Sequence, residues 1–347
     1  MDPIIKIFIL TTLSFLIAMA WTPILLRLLN RFQMGKQIRD EIGSPIFSKL
    51  HKGKSGTPTM GGLLVWVTTF ALAMFFSGIN SVFSDSSLGA LDFLTREQTR
   101  LPLGALVASA IAGFIDDYFN VRRIGPKGGG LRIRYKILIY TIIAAVGAYW
   151  FYYRLDWSQI HIPFFGDAEI GLWYIPIFIF IIVATSFSVN EIDGLDGLAG
   201  GTLLSAFAAF GAIAFAQGRF ELAAFCGVIA GALLAFLWFN IYPARFFMGD
   251  TGAMGLGTTL GIVAMLTNSV LLLPIICLPL VLESGSVILQ TISKKLFGKK
   301  IFLSTPIHHH FEALGWHESS ITMRVWVIAI VSAVIGLIIS LVDQGLR

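Results

Sequence analysis

Charged side chains are scarce in this chain, and their scarcity excludes an ordinary soluble protein. Asp, Glu, Lys and Arg make up 13% of the 347 residues, whereas hydrophobic residues make up 56%, and the mean hydropathy is +0.80. This composition is typical of an integral membrane protein. The apolar stretches follow one another closely and leave no room for a soluble domain, so we expect a single polytopic domain over residues 1–347.

Cysteine is almost absent. Cys226 and Cys277 both lie within apolar stretches, where a thiol usually behaves as a small packing residue. The sequence therefore predicts two free cysteines, and it offers no disulfide framework.

Long apolar runs predict an all-α integral membrane protein with about ten transmembrane helices, since about 20 apolar residues cross a bilayer as a helix. Hydropathy places the spans near residues 4–26, 59–78, 101–119, 136–153, 171–189, 197–217, 221–240, 251–268, 270–292 and 324–343.

Lys and Arg predict the orientation of these spans. Most of the 25 basic residues lie in or beside the loops after spans 1, 3, 5, 7 and 9, and basic loops stay in the cytoplasm. We therefore expect both termini to be periplasmic. The net charge of +5 mostly records this bias and an attraction to anionic lipid; it does not indicate nucleic-acid binding.

Acidic residues recur at the predicted cytoplasmic ends of the spans. They stand in three glycine-rich motifs, G-F-I-D-D-Y, N-E-I-D-G-L-D-G and F-F-M-G-D-T-G, as Asp116, Asp117, Asp193, Asp196 and Asp250. A carboxylate in a span is unfavourable by roughly 2.5–3.5 kcal/mol at mid-bilayer. Pairing with interfacial Arg and Lys is the simpler explanation for one acid, but the recurrence favours a charged site that faces the cytoplasm.

The same acids predict a hard metal ion. Oxygen ligands without a Cys/His set suit Mg²⁺, which is commonly shared with substrate phosphates. Neighbours on a helix point about 100° apart, so Asp116 and Asp117 are expected to serve different partners. Asp193 and Asp196 would share a face if their segment were helical.

Two further segments carry candidate residues. Lys54, in H-K-G-K-S-G-T-P-T-M-G-G, is a plausible phosphate or nucleotide contact, although basic loops are often only a topology signal. His308, His309 and His310 cannot all face one ion, so a zinc site is not expected, and imidazoles are able to contact diphosphate oxygens. Glu283 lies inside a span and must face the protein interior or a partner.

These motifs carry a resemblance. H-x-x-K-x-G-T-P-T-M-G-G, G-F-I-D-D-Y, N-x-x-D-G-L-D-G-L-A, L-W-F-N-x-Y-P-A-x-x-F-M-G-D-x-G, S-V-I-L-Q and P-I-H-H-H-F-E-x-x-G-W occur in this order. The chain closely resembles the phospho-N-acetylmuramoyl-pentapeptide transferases of bacterial peptidoglycan synthesis. The aspartate motifs are common to all polyprenyl-phosphate N-acetylhexosamine-1-phosphate transferases, whereas G-T-P-T-M-G-G and the triple histidine are more specific.

The resemblance implies transfer of phospho-MurNAc-pentapeptide from UDP-MurNAc-pentapeptide to undecaprenyl phosphate, giving lipid I and UMP, with Mg²⁺. It implies a homodimer in the bacterial inner membrane, with an active site formed by cytoplasmic loops 27–58, 116–136, 190–196, 241–250 and 293–323.

The resemblance also implies roles for individual residues. Asp250 resembles the Mg²⁺ ligand and Asp116 the base on the lipid phosphate, and the catalytic set is completed by Asp117, Asp193 and His309. The implied substrate contacts are Lys54, Asn190, Asp196, Asn240, Phe247, Gln290, His308 and His310.

Two departures and two alternatives accompany the resemblance. Glu191–Ile192 replace an apolar residue followed by Thr, and Ala253 replaces a Ser. A sister transferase that moves a GlcNAc-1-phosphate type of sugar is one alternative, which the two specific motifs oppose. A transporter is the other, but its acids would lie near the midplane. Direct attack is favoured over an aspartyl-phosphate intermediate, because a phosphate nucleophile needs little activation.

Overall fold

The computed structural model describes residues 1–35, 54, 56–83, 86–95, 98–125 and 129–345, so much of the predicted loop 27–58 lies outside the described residues. Helices dominate these ranges. They are α1 Pro3–Arg31, α2 Leu63–Val82, α3 Arg100–Val121, α4 Ile133–Arg154, α5 Tyr174–Ile192, α6 Leu198–Ala216, α7 Phe220–Asn240, α8 Gly249–Leu266, α9 Leu273–Ile276, α10 Leu278–Phe297, α11 Ile307–Ala313 and α12 Glu318–Gly345.

Local sequence explains several helix ends. The Asp2 carboxylate accepts a hydrogen bond from Ile4 N at 2.7 Å and Pro3 opens α1, which is the usual chemistry of a helix start. The last turn of α10 contains Lys294 and Lys295, and the helix is followed by Gly298 with φ +66°. Basic side chains and a left-handed glycine both favour helix termination.

Eight of the described helices are long and apolar enough to cross a membrane, and a bent pair raises the number to nine. The prediction of an all-α multi-pass membrane protein is therefore confirmed. The predicted span 270–292 corresponds to a bent pair of helical segments, because Val270–Ile276 and Leu278–Phe297 meet at 84°. Cys277, where the break falls, and Cys226 are both free and buried, as predicted.

The predicted span 251–268 corresponds to α8, the most enclosed helix of the bundle. Every residue from 251 to 266 is buried, and α8 packs against α3 and α5. Its 18 residues extend about 27 Å at about 1.5 Å per residue. Glycine and threonine interrupt its apolar sequence, which is why α8 is not among the nine counted by composition.

Close approach of backbones holds α8 in place. A Cβ on Gly113 of α3 would lie 2.2 Å from Asp250 O, and one on Gly257 would lie 2.7 Å from Ser186 Cα of α5. The Thr258 hydroxyl also lies 2.8 Å from the Ser186 hydroxyl. Small residues and shared hydroxyls are the usual means of helix association in membranes.

A short antiparallel hairpin lies between α4 and α5. Strands β1 Gln159–Ile162 and β2 Gly166–Glu169 pair with Ile160 opposite Ala168. The hairpin lies in a predicted periplasmic loop, where hydropathy carries no strand signal.

Candidate active site

Three helices bring two carboxylates to one ammonium group. Asp116 lies near the end of α3, Lys136 in the first turn of α4 and Asp250 in the first turn of α8. Lys136 Nζ lies 2.6 Å from Asp116 Oδ2 and 2.7 Å from Asp250 Oδ2. Asp116 is only 1% exposed, so this bridged pair is shielded from water and its ion pairs are correspondingly strong.

The remaining oxygen of each carboxylate is also bonded. Asn190, near the end of α5, donates its side-chain amide to Asp250 Oδ1. The backbone N–H of Leu131 donates to Asp116 Oδ1. The side chains of Asp116 and Asp250 are therefore held in fixed orientations by three groups, Lys136, Asn190 and the backbone N–H of Leu131.

Asp117 faces a different partner from its neighbour. Its Oδ2 accepts the backbone N–H of Thr251 at 3.0 Å, and a Cβ on Gly249 would lie 2.6 Å from the same oxygen. A carboxylate at the start of α8 accepts a hydrogen bond from an otherwise unpaired backbone N–H, and the positive end of the helix dipole stabilises its charge. The two adjacent acids thus diverge as helical geometry predicts.

The segment before Asp250 is fixed by the T-P-T-M-G-G loop. Phe247 N donates to Pro58 O at 2.8 Å, and Gly61 N donates back to Phe247 O at 2.7 Å. Gly62 N donates to Met248 O at 2.8 Å. This short backbone ladder explains why the two motifs, about 190 residues apart in the sequence, act as one structural unit.

Lys54 joins a second cluster. Its ammonium lies 2.7 Å from Asp196 Oδ1 and contacts Glu318 Oε1 at the start of α12. It also lies 5.7 Å from the centroid of the Phe247 ring, within cation–π range. A basic group, an aromatic ring and two acids therefore lie together beside the T-P-T-M-G-G loop.

Residues 193–197 form a turn rather than a helix, so Asp193 and Asp196 do not share a helical face. Asp193 Oδ2 accepts Gly249 N at 3.1 Å, whereas Asp196 Oδ2 accepts Ala244 N at 2.9 Å. Asn240 closes the turn by accepting Gly197 N at 3.0 Å. The predicted acids thus connect the turn to both sides of the 241–250 loop.

The three histidines contact three different groups. His308 Nδ1 lies 2.8 Å from Glu283 Oε2, and His309 Nδ1 lies 2.6 Å from Glu312 Oε2. His310 Nδ1 accepts Leu303 N at 3.2 Å. Buried Glu283 therefore faces the protein interior, one of the two predicted alternatives, and orients an imidazole.

His308 Nε2 approaches the acidic turn. It is buried and has no hydrogen-bond partner among the described residues. A Cβ on Gly194 would lie 2.2 Å from it. Only glycine fits at position 194, and the contact places the histidine motif against the turn that carries Asp193 and Asp196.

Gln290 is engaged with the chain's own backbone. Its side-chain oxygen accepts Ile301 N and Phe302 N at 2.9 and 3.1 Å, and its amide donates to Phe302 O at 2.9 Å. Gln290 thus fixes the segment that leads to the histidines, and its predicted nucleotide contact stays a prediction.

Three residues of the site were not among the predicted site residues. Lys136 bridges Asp116 and Asp250, Glu318 binds Lys54, and Glu312 binds His309. Lys136 follows a basic loop and looked like a topology signal, while Glu312 ends the triple-histidine motif and Glu318 begins α12. Each was recognisable only as a counter-charge for a predicted neighbour.

Asp116 and Asp250 present two carboxylates to one cation, the Lys136 ammonium, and Asn190 donates its side-chain amide N–H to Asp250. No group of three or more His, Cys, Asp or Glu able to hold a metal occurs within the described ranges. Mg²⁺ suits such a site, because it keeps several waters and is usually held by one or two carboxylates plus substrate phosphates. The Lys136 ammonium already occupies the position between the carboxylates that a cation favours.

The fold is that of a multi-pass membrane protein, and matches to two family models identify it as a transferase. Residues 100–268 match the model of glycosyl transferase family 4. Residues 54–64 match the phospho-N-acetylmuramoyl-pentapeptide-transferase signature 1.

Relatives cover nearly the whole chain. The phospho-N-acetylmuramoyl-pentapeptide-transferase of Chloroflexus aurantiacus (strain ATCC 29366 / DSM 635 / J-10-fl) is 39% identical to this chain, over 91% of this chain and 84% of the relative. The relative from Clostridium novyi (strain NT) is 39% identical to this chain over 93% of each of the two chains. The relative from Geobacillus thermodenitrificans (strain NG80-2) is 37% identical over 96% of this chain and 97% of the relative. The chain belongs to the phospho-N-acetylmuramoyl-pentapeptide transferase family.

Proposed function

We propose that the chain transfers phospho-MurNAc-pentapeptide from UDP-MurNAc-pentapeptide to undecaprenyl phosphate, giving lipid I and UMP. The observation that carries the proposal is the Lys136 bridge between Asp116 and Asp250, three residues along the chain from Phe247, whose ring Lys54 contacts. Family membership indicates the class of substrate. The Lys136 bridge offers charged groups to the transferred phosphate, and the Phe247 ring beside it offers a surface for the uracil base.

The reaction is a direct displacement at phosphorus. An oxygen of the lipid phosphate forms a bond to the sugar-linked phosphorus of the nucleotide substrate, and the bond from that phosphorus to the bridging oxygen breaks, so UMP leaves with the bonding electrons. Phosphoryl transfer depends mainly on positioning and charge neutralisation. Asp116 accepts a proton from a lipid phosphate that arrives as a monoanion.

Lys136 and Asp250 organise the charge around the transferred phosphoryl group. The Lys136 ammonium can turn from the carboxylates towards phosphate oxygens. Asp250 and Asn190 would hold Mg²⁺, which when bound neutralises phosphate oxygens. Asp117 and Asp193 keep the start of α8 in place through Thr251 N and Gly249 N.

The second cluster binds the nucleotide. Phe247 presents a ring on which uracil can stack, and Lys54 supplies a cation for the base or the phosphate. Asp196 and Asn240 hold the turn that borders this cluster. His308, His309 and His310, with Gln290, border the sugar and diphosphate.

Orientation and assembly form part of the proposal. The catalytic cluster faces the cytoplasm of the bacterial inner membrane and both termini are periplasmic, which the basic loops support. The enzyme works as a homodimer. The nucleotide substrate then arrives from the cytoplasm, and undecaprenyl phosphate arrives laterally from the bilayer.

The test is UMP release by the purified protein. UDP-MurNAc-pentapeptide should yield UMP only when undecaprenyl phosphate and Mg²⁺ are both present, and UDP-GlcNAc should yield none. Equal or greater turnover of UDP-GlcNAc would reassign the chain to the sister reaction. UMP release without lipid phosphate would instead indicate an aspartyl-phosphate route or hydrolysis.

A further inference from the structure

A two-lobed polar cavity lies at the opposite end of the bundle from the catalytic cluster. The smaller lobe is about 340 Å³ and the larger about 600 Å³. Both are lined by Gln217 and Arg219, which connect α6 to α7. Because Asp250 begins α8 and Thr267, beside the smaller lobe, follows its end, the two sites are about 25 Å apart at about 1.5 Å per residue.

Arg219 is the cationic anchor of this cavity. Its guanidinium lies 5.3 Å from the Trp157 ring centroid, and it forms no ion pair with a carboxylate of the described residues. Burial lowers the pKa of Arg219, which reports a charge removed from water without a counter-ion. A partly buried guanidinium of this kind favours an anionic ligand, above all a phosphate.

The larger lobe adds a second cation. Arg154, at the end of α4, lines it together with Gln98 and exposed Asp156. Two guanidinium groups therefore face one carboxylate, and the larger lobe carries a net positive charge.

The smaller lobe has the opposite preference. Gln217 donates its amide to Thr267 O at 2.8 Å, while its side-chain oxygen is buried and meets no donor within the described part of the chain. Such an acceptor requires an N–H or O–H partner. Asp167 and Asp343 also line this lobe and flank His161 at 2.7 Å each.

Exposed aromatic residues at the same end of the bundle indicate the depth of the cavity. They are Phe164, Phe165 and Trp173, in the segment between α4 and α5, and Phe165 is 89% exposed. Large aromatic residues at helix ends mark the interface between bilayer and water.

We propose that this cavity binds the zwitterionic headgroup of a phosphatidylethanolamine lipid in the leaflet opposite the catalytic cluster. The phosphate diester contacts Arg219 and Arg154 in the larger lobe. The ammonium donates to the Gln217 side-chain oxygen and to Asp167 in the smaller lobe. Arg219 and Gln217, which line both lobes, thus match the phosphate and the ammonium of one headgroup. A simple anion would match Arg219 alone.

The test is lipid retention after purification from mixed vesicles, measured by native mass spectrometry. Vesicles contain equal amounts of phosphatidylethanolamine, phosphatidylglycerol and phosphatidylcholine. The native protein should retain phosphatidylethanolamine preferentially. Arg219→Gln should lower that retention about tenfold, the size expected when a charge-assisted hydrogen bond is lost. Gln217→Ala should remove the preference over phosphatidylglycerol.

Arg100→Gln is the matched control, because Arg100 is an exposed arginine at the same end of the bundle and does not line the cavity; its retention should equal that of the native protein. UMP release by Arg219→Gln should stay normal, which would show that the variant is folded. A loss of lipid retention in this variant is then independent of the proposed transferase reaction. Equal retention by Arg219→Gln and the native protein would overturn the site.

Two more arms separate the sources of phosphate. Soluble glycerophosphoethanolamine at high concentration should displace the retained lipid. Stabilisation by inorganic phosphate alone, with no preferential lipid retention, would overturn the headgroup assignment in favour of a free-phosphate site. Equal retention of all three lipids would also overturn it.

Discussion

Lys136 Nζ lies 2.7 Å from Asp250 Oδ2, so a lysine holds the carboxylate to which family resemblance assigns the metal. Lysine and a divalent cation would compete for the same oxygen. This competition gives the proposed site a behaviour that two isolated acids would not have.

Removal of the Lys136 charge should therefore strengthen metal binding while it impairs catalysis. In Lys136→Gln, Asp116 and Asp250 lose their shared counter-charge and repel each other. We expect a lower melting temperature without metal, a larger rise in melting temperature on Mg²⁺ addition than in the native protein, and a strong loss of UMP release. Lys136→Arg, which retains the charge, is the control. An unchanged response to Mg²⁺ in Lys136→Gln would show that the ion binds elsewhere.

Asp250→Asn should remove most of the activity. The amide keeps the shape of the side chain but loses the charge that holds a divalent ion, so the Mg²⁺ concentration needed for half-maximal UMP release should also rise. Glu169→Gln, an exposed change in the distant hairpin, serves as the control. Native turnover at ordinary Mg²⁺ would reject Asp250 as a ligand.

Phe247→Ala should raise KM for the nucleotide substrate and weaken uridine-containing inhibitors. A base stacked on an aromatic ring contributes on the order of 1–3 kcal/mol. Phe247→Tyr keeps the ring and should bind normally. If Phe247→Ala folds and its inhibitor affinity is unchanged, the ring only packs the 241–250 loop.

Gly194→Ala should displace His308 and lower kcat. The added Cβ would lie 2.2 Å from His308 Nε2, and the imidazole cannot retreat without leaving Glu283. Gly285→Ala is a close control, because its Cβ would meet nothing within 4 Å. Near-native kcat in Gly194→Ala would mean that the position of His308 does not matter for the reaction.

Asp116→Asn and Asp117→Asn should differ in their pH profiles. If Asp116 is the base, Asp116→Asn lowers kcat sharply with nearly normal nucleotide binding, and the loss shrinks as pH rises. The sign follows because the lipid phosphate becomes dianionic above its second pKa of about 6 and needs no base. Asp117→Asn should instead disturb the start of α8, through Thr251 N, and so affect stability or binding.

UMP release by both purified variants across pH, with inhibitor binding as a check of folding, measures this difference. Equal losses with one common pH profile would contradict the division of labour between Asp116 and Asp117.

The sequence was sufficient for the features that depend on composition and local geometry. Apolar length predicted the helices, and the 100° step between neighbours predicted that Asp116 and Asp117 would part. The break at Cys277 was missed, because both halves are apolar and hydropathy averages across a bend. The hairpin was missed because four-residue strands carry little pattern.

Pairings between distant segments were beyond the sequence. The ladder between Pro58–Gly62 and Phe247–Met248 depends on backbone groups, which have no residue signature. Lys136 and Glu318 are ordinary interfacial charges until tertiary structure places them against Asp116 and Lys54. Residue type limited the candidates, but the partners were decided by how the helices pack.

The enclosure of α8 has a consequence for enzymes that must work in changing bilayers. Lipid thickness acts on helices that touch lipid, which respond by tilting at a modest energy per ångström of mismatch. Residues 251–266 of α8 are buried, and its glycines pack closely against α3 and α5. A change in bilayer thickness is therefore expected to tilt the outer helices rather than α8. The depth of Asp250 relative to its partners should therefore be insensitive to the growth temperature or lipid chain length of the host cell.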